Sequence, residues 1–433
     1  MLIHRKLLPL VTVLILLFAW GCTDRGTNVP PDTPASKTAV TIASHDFTRE
    51  LYLQIGRNPA GNRVTLALRA YIPEGSVTPI QGGQVQPVPL LILLAPQDGD
   101  EYYFFNHGLK QLADEMIADG TIQPMAIVCV PNDQVFGGYF YAGHNPGAGY
   151  YDELIGGALI EWMRKFDCLN ESLPVGIGGV GMGAYGAFRA ALMHQGMFSS
   201  ISVTDGPLDF DGPDGTEGFL ELFDDALTEQ GLLNEAGWRT KFDTSGTWHL
   251  SRLFIGGALA FSPHDTAIDT TGIVSIKTRP TADGSYEEYW EIIIPPSQRF
   301  TINDSTTLIT EIVKPDQYDF DFHLPFDSTG ALYPLIWNMW LNNNLEKILL
   351  DKGSGALRGV KMWFGTSPEF KFGNYRQQTL SWIDWLRHGP VDQNQLYVKE
   401  YTGYPGNPAT NDRYVYDIIR DMLIFHSKCF EEH

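Results

Sequence analysis

The stretch Gly176–Ala191 constrains this chain more than any other: it reads Gly-Ile-Gly-Gly-Val-Gly-Met-Gly-Ala-Tyr-Gly-Ala-Phe-Arg-Ala-Ala. Val175 and Ile177 give a short apolar strand, Gly179-Val180-Gly181-Met182-Gly183 a tight turn, and the alanine-rich run after it a helix. A chain that swings from strand to helix through so sharp an elbow needs small flanking residues, and the apex residue then projects its side chain from the turn. That geometry suits a nucleophilic serine. Here the apex is Gly181, which has no side chain to attack anything.

The chain has 433 residues, of which 43% are hydrophobic and 19% charged, enough apolar surface for a large core. Thirty basic against 51 acidic side chains leave a net charge of −21. That charge repels phosphate backbones, and no basic patch offsets it, so nucleic acid is excluded as a partner. His4-Arg5-Lys6 precedes an apolar run, Leu7–Trp20, too short for a comfortable membrane span, and Gly21-Cys22 follows. This resembles a bacterial lipoprotein signal, which implies a signal peptide over 1–21, a lipidated Cys22 and a place in the cell envelope. An uncleaved anchor or a buried helix is the alternative. Residues 22–38, rich in Pro, Thr and Asp, read as a tether, and the membrane is expected to be met only through the lipid. Of the other cysteines, Cys129 lies in an apolar strand and reads as core.

From residue 39 to about 430 the pattern is that of one domain. Alternating segments at 40–42, 51–55 and 63–72 suggest antiparallel strands. Leu90–Leu94 and Met125–Val130 are continuous apolar runs of the kind that doubly covered strands show, with a helix over His107–Ala118 between them. A helix over Leu154–Lys165, a strand over Pro174–Ile177, a helix over Gly183–His194 and a strand over Ser200–Thr204 continue the alternation. It predicts an α/β fold with a mostly parallel central sheet and helices on both faces. At about 265–321 the segments Ile273–Lys277, Tyr286–Ile294 and Leu308–Val313 predict an inserted β-rich subdomain, either a lid over a cleft or a solvent-facing decoration.

On these residues the chain resembles the esterase D type of the α/β-hydrolases, the "putative esterase" group. The matching segments are Leu90–Leu94, Gly108–Ile127, Tyr151-Asp-Glu-Leu, Gly179–Ala187 and Phe198–Gly206. Leu324-Pro-Phe-Asp, Trp363-Phe-Gly-Thr and a closing helix over Tyr414–Phe425 continue the match. The resemblance implies an α/β-hydrolase fold, no cofactor, and acyl transfer by serine, acid and histidine. Each role is altered here. The serine position is Gly181; Ala95-Pro96 replaces a His-Gly pair beside the oxyanion hole, and proline has no N–H to donate. Gly365-Thr-Ser-Pro-Glu-Phe leaves Glu369 as the only carboxylate near the acid's place, and Thr410 or Asn411 stands where the histidine belongs. Asparagine cannot take a proton at neutral pH. The expected reading is therefore an inactive member that binds a ligand or partner, the alternative an active ester hydrolase that uses Asp205 or Glu369 instead.

Aromatics crowd Tyr102–Phe105, Tyr139–Tyr141 and Tyr150-Tyr151, segments expected in loops at the C-terminal strand edges, where open α/β sheets bind ligands. Flat rings with polar rims suit a sugar or an aryl group, so Gln97, Tyr141, Met182, Tyr185 and Asp205 are the candidate ligand contacts. Asp209-Phe-Asp211-Gly-Pro-Asp214-Gly-Thr-Glu217 has an acidic rhythm that departs from the EF-hand loop and reads first as a surface loop. Asp319, Asp321 and His323 would share a face of a strand, too few ligands for a metal site to be expected.

Overall fold

The computed structural model describes residues 44–51, 66–73, 76, 87–132, 138–142, 151, 154–160, 172–212, 218–229, 249–262, 273–280, 286–294, 308–313, 323–326, 330–353, 355–367, 374–389, 391–402 and 412–433. In chain order they form β1 (Ser44–Leu51), β2 (Leu66–Pro73), β3 (Leu90–Leu94), α1 (Tyr103–Asn106), α2 (Leu109–Ala118), β4 (Ala126–Val130), β5 (Val175–Val180), α3 (Met182–Met193) and β6 (Ser200–Thr204). There follow α4 (Phe223–Glu229), α5 (His249–Phe261), β7 (Ile273–Pro280), β8 (Tyr286–Ile294), β9 (Leu308–Val313), α6 (Pro334–Leu341), α7 (Leu345–Lys352), β10 (Lys361–Thr366), α8 (Tyr375–His388), β11 (Leu396–Glu400) and α9 (Asp412–Glu431).

Eight strands make one sheet in the order β1-β2-β4-β3-β5-β6-β10-β11. β1 and β2 enter antiparallel, and the six from β4 to β11 run parallel. This is the mostly parallel sheet with helices on both faces that the strand–helix alternation predicts, and the α/β-hydrolase fold that the resemblance implies. The side-chain period of two sorts each strand onto two cores. Leu90, Ile92 and Leu94 join Ile177, Ile201, Val203 and Phe364 under α3, α5 and α8. Leu91, Leu93, Ile127, Cys129 and Val180 face α2 and α9. The strands β7, β8 and β9 form a separate antiparallel sheet over the segments expected to be β-rich.

Local departures from the sequence reading have local causes. The helix expected over His107–Ala118 starts two residues later, at Leu109, because Gly108 before it takes φ +89, and a Cβ there would stand 2.8 Å from the Tyr416 ring. Tyr103–Phe105 lie in the short α1, not in a loop. The segment at Leu154 opens as a π-turn over Leu154–Ala158, where a Cβ on Gly156 would meet the His194 ring at 2.1 Å. β1 lies over Ser44–Leu51, between the runs that apolar alternation picks out. Cys129 and Cys429 are buried free thiols. The leader, the tether and Cys22 lie outside the described residues; among those described, no helix is long and apolar enough to cross a membrane.

One polar device ties α9 to the sheet. Ser200 and Ser202, two apart on β6, point at the same face, and His426 bridges them, with Nδ1 2.8 Å from Ser200 Oγ and Nε2 2.8 Å from Ser202 Oγ. A neutral imidazole has one donor and one acceptor, which two hydroxyls satisfy. Burial drives its pKa down to about 3. An unfolded histidine binds a proton below about 6.5, so between that value and 3 the unfolded chain holds more protons and stability rises with pH. The contribution is whole above about pH 6.5 and drains away as pH falls toward 3. Urea titrations at about pH 7 and about pH 5 should therefore show a drop in unfolding free energy. The drop should be smaller in His426→Gln, whose amide can bond both serines without titrating; parallel slopes for the two proteins would contradict the buried neutral base.

Candidate functional site at the elbow

β5 leaves the sheet beside β3 and β6, and the turn at its end is the elbow that the sequence spells out. Gly181 takes φ +58 and ψ −124, a conformation that side chains resist. Its N–H donates to the Thr204 carbonyl at 2.9 Å, and its own carbonyl accepts from Ala184 N at 3.0 Å. The flanking glycines are required by contact. A Cβ on Gly179 would stand 2.1 Å from the Gly183 carbonyl oxygen, and one on Gly183 2.1 Å from the Leu94 carbonyl oxygen. A third close approach comes from the chain just past β6, since a Cβ on Gly206 would lie 2.8 Å from Gly181 O.

Around this point the expected contacts fall into two sets. Met182, Tyr141 and Tyr185 are buried and engaged with the protein itself. The Met182 thioether accepts from Asn132 Nδ2 at 3.1 Å and from Phe140 N at 3.4 Å. Tyr141 shares its hydroxyl proton between the Ala95 and Val130 carbonyls, at 2.9 and 3.1 Å, and burial holds its pKa far above the ordinary value. Tyr185 donates to Asn343 O at 2.6 Å and stacks on Phe210 at 5.2 Å. These tyrosines are core pieces that set the shape of the edge. Periodicity cannot separate an aromatic of this kind from one lining a cleft.

Gln97 and Asp205 remain chemically interesting. Gln97 Nε2 donates to His249 O at 3.0 Å, while its Oε1, on a residue 6% exposed, has no partner among the described residues. Its neighbour Asp98 pairs with Arg252 Nη1 at 2.7 Å, pinning the loop after β3 to α5. Asp205, at the end of β6, is buried, and its carboxylate accepts from Ser367 N at 2.8 and 3.1 Å and from Ser367 Oγ at 2.5 Å. Burial raises its pKa to about 7, against the lowering effect of the Ser367 hydrogen bonds and the Arg376 charge. Asp205 is thus a buried carboxyl whose pKa is pushed up, already occupied by Ser367. The Asp205–Ser367 pair carries no sequence signal beyond the two strand ends that bring it together. Glu369, Thr410 and Asn411, in the acid and histidine places, lie outside the described residues, as do Asp214, Glu217, Asp319 and Asp321. Among the described residues no three His, Cys, Asp or Glu side chains converge on a metal position.

Residues 67–254 match the family model described as "Putative esterase", so the family that the elbow and its flanking segments resemble is the one found. No curated protein matches. Among solved structures, a ferulic acid esterase is 12% identical with a TM-score of 0.50, over 90% of this chain and 99% of its own; at that identity the likeness is one of fold. The fluorophosphonate-binding serine hydrolase F of Staphylococcus aureus is 14% identical, over 88% of this chain and 98% of its own, with a TM-score of 0.47. The S-formylglutathione hydrolase of the same organism is 13% identical, over 88% and 99%, with a TM-score of 0.45.

Because Gly181 stands at a backbone conformation that a β-branched residue cannot adopt without strain, Gly181→Val should destabilise the protein by about 1–3 kcal/mol. Thermal or urea unfolding measures it. An unchanged midpoint would mean that the turn relaxes readily.

Proposed function

We propose that this protein is a lipid-anchored envelope protein that keeps the hydrolase frame without serine-esterase catalysis and holds a small ligand, a sugar or an aryl group, at the C-terminal edge of its sheet. The observation that carries the reading is Gly181 itself. The apex of the elbow retains the turn that presents a nucleophile, at φ +58 and ψ −124, with no side chain on it. Pro96 in the loop after β3 removes one N–H from the region where an oxyanion would be held, and the sequence has Thr410 and Asn411 where a base is needed. The binding half of the reading is supported by Gln97, whose buried, unpartnered Oε1 offers an acceptor at a strand edge where open α/β sheets take ligands.

The alternative, an ester hydrolase working through Asp205, asks a carboxylate engaged by Ser367 to leave three hydrogen bonds before it can attack or take a proton. Short-chain nitrophenyl esters separate the two. The purified protein should hydrolyse them no faster than a heat-killed control, and clear turnover would overturn the proposal. Nucleophile and base act as a unit, so Gly181→Ser alone should stay near background, with a gain only when histidine is also placed at 410 or 411. Esterase-level turnover by the single variant would reveal a base already beside the elbow.

The anchor has its own test. Cys22→Ser should move the protein from the membrane fraction to the soluble one in detergent-free fractionation. A variant that stays with the membrane would exclude lipidation of Cys22 as the anchor.

A further inference from the structure

At the end of β5 away from the elbow, where β5, β6 and β10 begin, lies a cleft of about 650 Å³. That volume falls in the range of small-molecule sites. Among the described residues its floor is hydrocarbon: Ile160, Leu173, Val175 and Met197 are half-buried there, together with the buried Phe198 and Val360. The carbonyls at this end of the sheet are already paired. Pro174 O accepts from Leu90 N at 3.3 Å, Val175 O from Ser199 N at 2.8 Å and Ser199 Oγ at 3.3 Å, and Ser199 O from Lys361 N at 3.2 Å. A sugar, whose hydroxyls need acceptors, finds few on such a floor. A hydrocarbon chain finds surface that it can take out of water.

The rim is polar, with Ser172, Gln195, His433 and Arg358. Among the described residues no Asp, Glu or Lys side chain lines the cleft, and exposed Arg358 forms no hydrogen bond or ion pair through its side chain. In a chain with 51 acidic and 30 basic side chains a base usually meets a carboxylate, as Lys361 meets Glu432 and Arg376 meets Glu400. Arg358 does not. The turn that carries it is nonetheless fixed: Arg358 N donates to Gly355 O and Val360 N to Leu357 O, each at 3.1 Å. Gln395 Nε2 then donates to the Leu357 and Val360 carbonyls at 3.1 and 2.7 Å. The result is a positive charge without a counter-ion, on an anchored turn beside an apolar floor.

We propose that this cleft binds a single-chain amphiphilic carboxylate, its hydrocarbon chain on the floor and its head group at Arg358. The planar guanidinium fork matches a carboxylate with two parallel N–H bonds. The floor supplies the remaining affinity by covering apolar surface on both sides. The site stands at the opposite end of β5 from Gly181 and does not rest on the reading of the elbow.

The test titrates the full chain by calorimetry with decanoate, below its micellar concentration, and with decan-1-ol as the neutral counterpart. One decanoate per chain is expected, bound at least about tenfold more tightly than decanol, the scale of one charge-assisted contact. Arg358→Gln, at an exposed position, should erase that preference and leave the melting midpoint where it was. Met197→Asp, which puts a charge on the floor, should weaken both ligands. Should the Met197 variant fail to fold, the Arg358 variant decides the matter. No decanoate binding by the parent protein, decanol bound as tightly as decanoate, or a preference that survives Arg358→Gln would overturn the proposal.

Discussion

Two glycines that accept carbonyl oxygens where side chains would otherwise stand hold the elbow together, and with it the meeting point of β3, β5 and β6. Gly179 lies against the Gly183 carbonyl and Gly183 against the Leu94 carbonyl, each at a separation no Cβ tolerates. The first turn of α3 is thereby drawn onto the sheet, and the chain between them has one way round, through the positive φ at Gly181. The turn is dictated by backbone packing on either side of the apex. It does not depend on what the apex carries, which is why the shape of a nucleophile elbow can stand with glycine at its summit.

The same strand shapes the opposite face. Gly176 and Gly178 alternate with Ile177, and a Cβ on either would run into the His426 ring at 2.5 Å or Ser202 Oγ at 2.3 Å. The absent side chains open the space in which His426 bridges Ser200 and Ser202, so a buried imidazole is fully hydrogen-bonded in an otherwise apolar layer of Ile418, Met422 and Phe430. Glycines that weaken a strand in isolation here let the central strand be approached on one side by a helix start and on the other by a polar clamp. The fold is pinned through its thinnest strand.

Much of the frame was legible from the residues. Leu90–Leu94 and Ser200–Thr204 are strands over the residues that apolar runs pick out, and β8 and β9 likewise, because continuous or alternating hydrophobicity carries the period of a strand. Where the reading fell short, the cause was tertiary. β5 runs on to Val180 through glycines that propensity reads as a turn, β11 is an exposed edge strand held by its pairing with β10, and the later start of α2, after Gly108, answers a tyrosine from α9. Side-chain roles at the edge were less legible still. Tyr141 and Tyr185 look from sequence like ring faces for a ligand, and only their hydrogen bonds to backbone carbonyls show that they brace the core. The pairing of Asp205 with Ser367 joins residues far apart in the chain, and no local pattern announces it.

Backbone strain marks where this fold spends stability. Asp98, Phe140, Tyr141 and Asp205 are the described residues other than glycine with positive φ, and they sit in the segments after β3, β4 and β6, around the elbow. Such conformations cost of order 1 kcal/mol or more each and persist only where surrounding contacts insist on them. Those contacts are present in three cases. Arg252 holds Asp98, two carbonyls hold the Tyr141 hydroxyl, and Ser367 holds Asp205 with three hydrogen bonds. Braced by their contacts, they mark backbone that is held in shape around the elbow, where Gly181 and Gly138 take a positive φ at little cost.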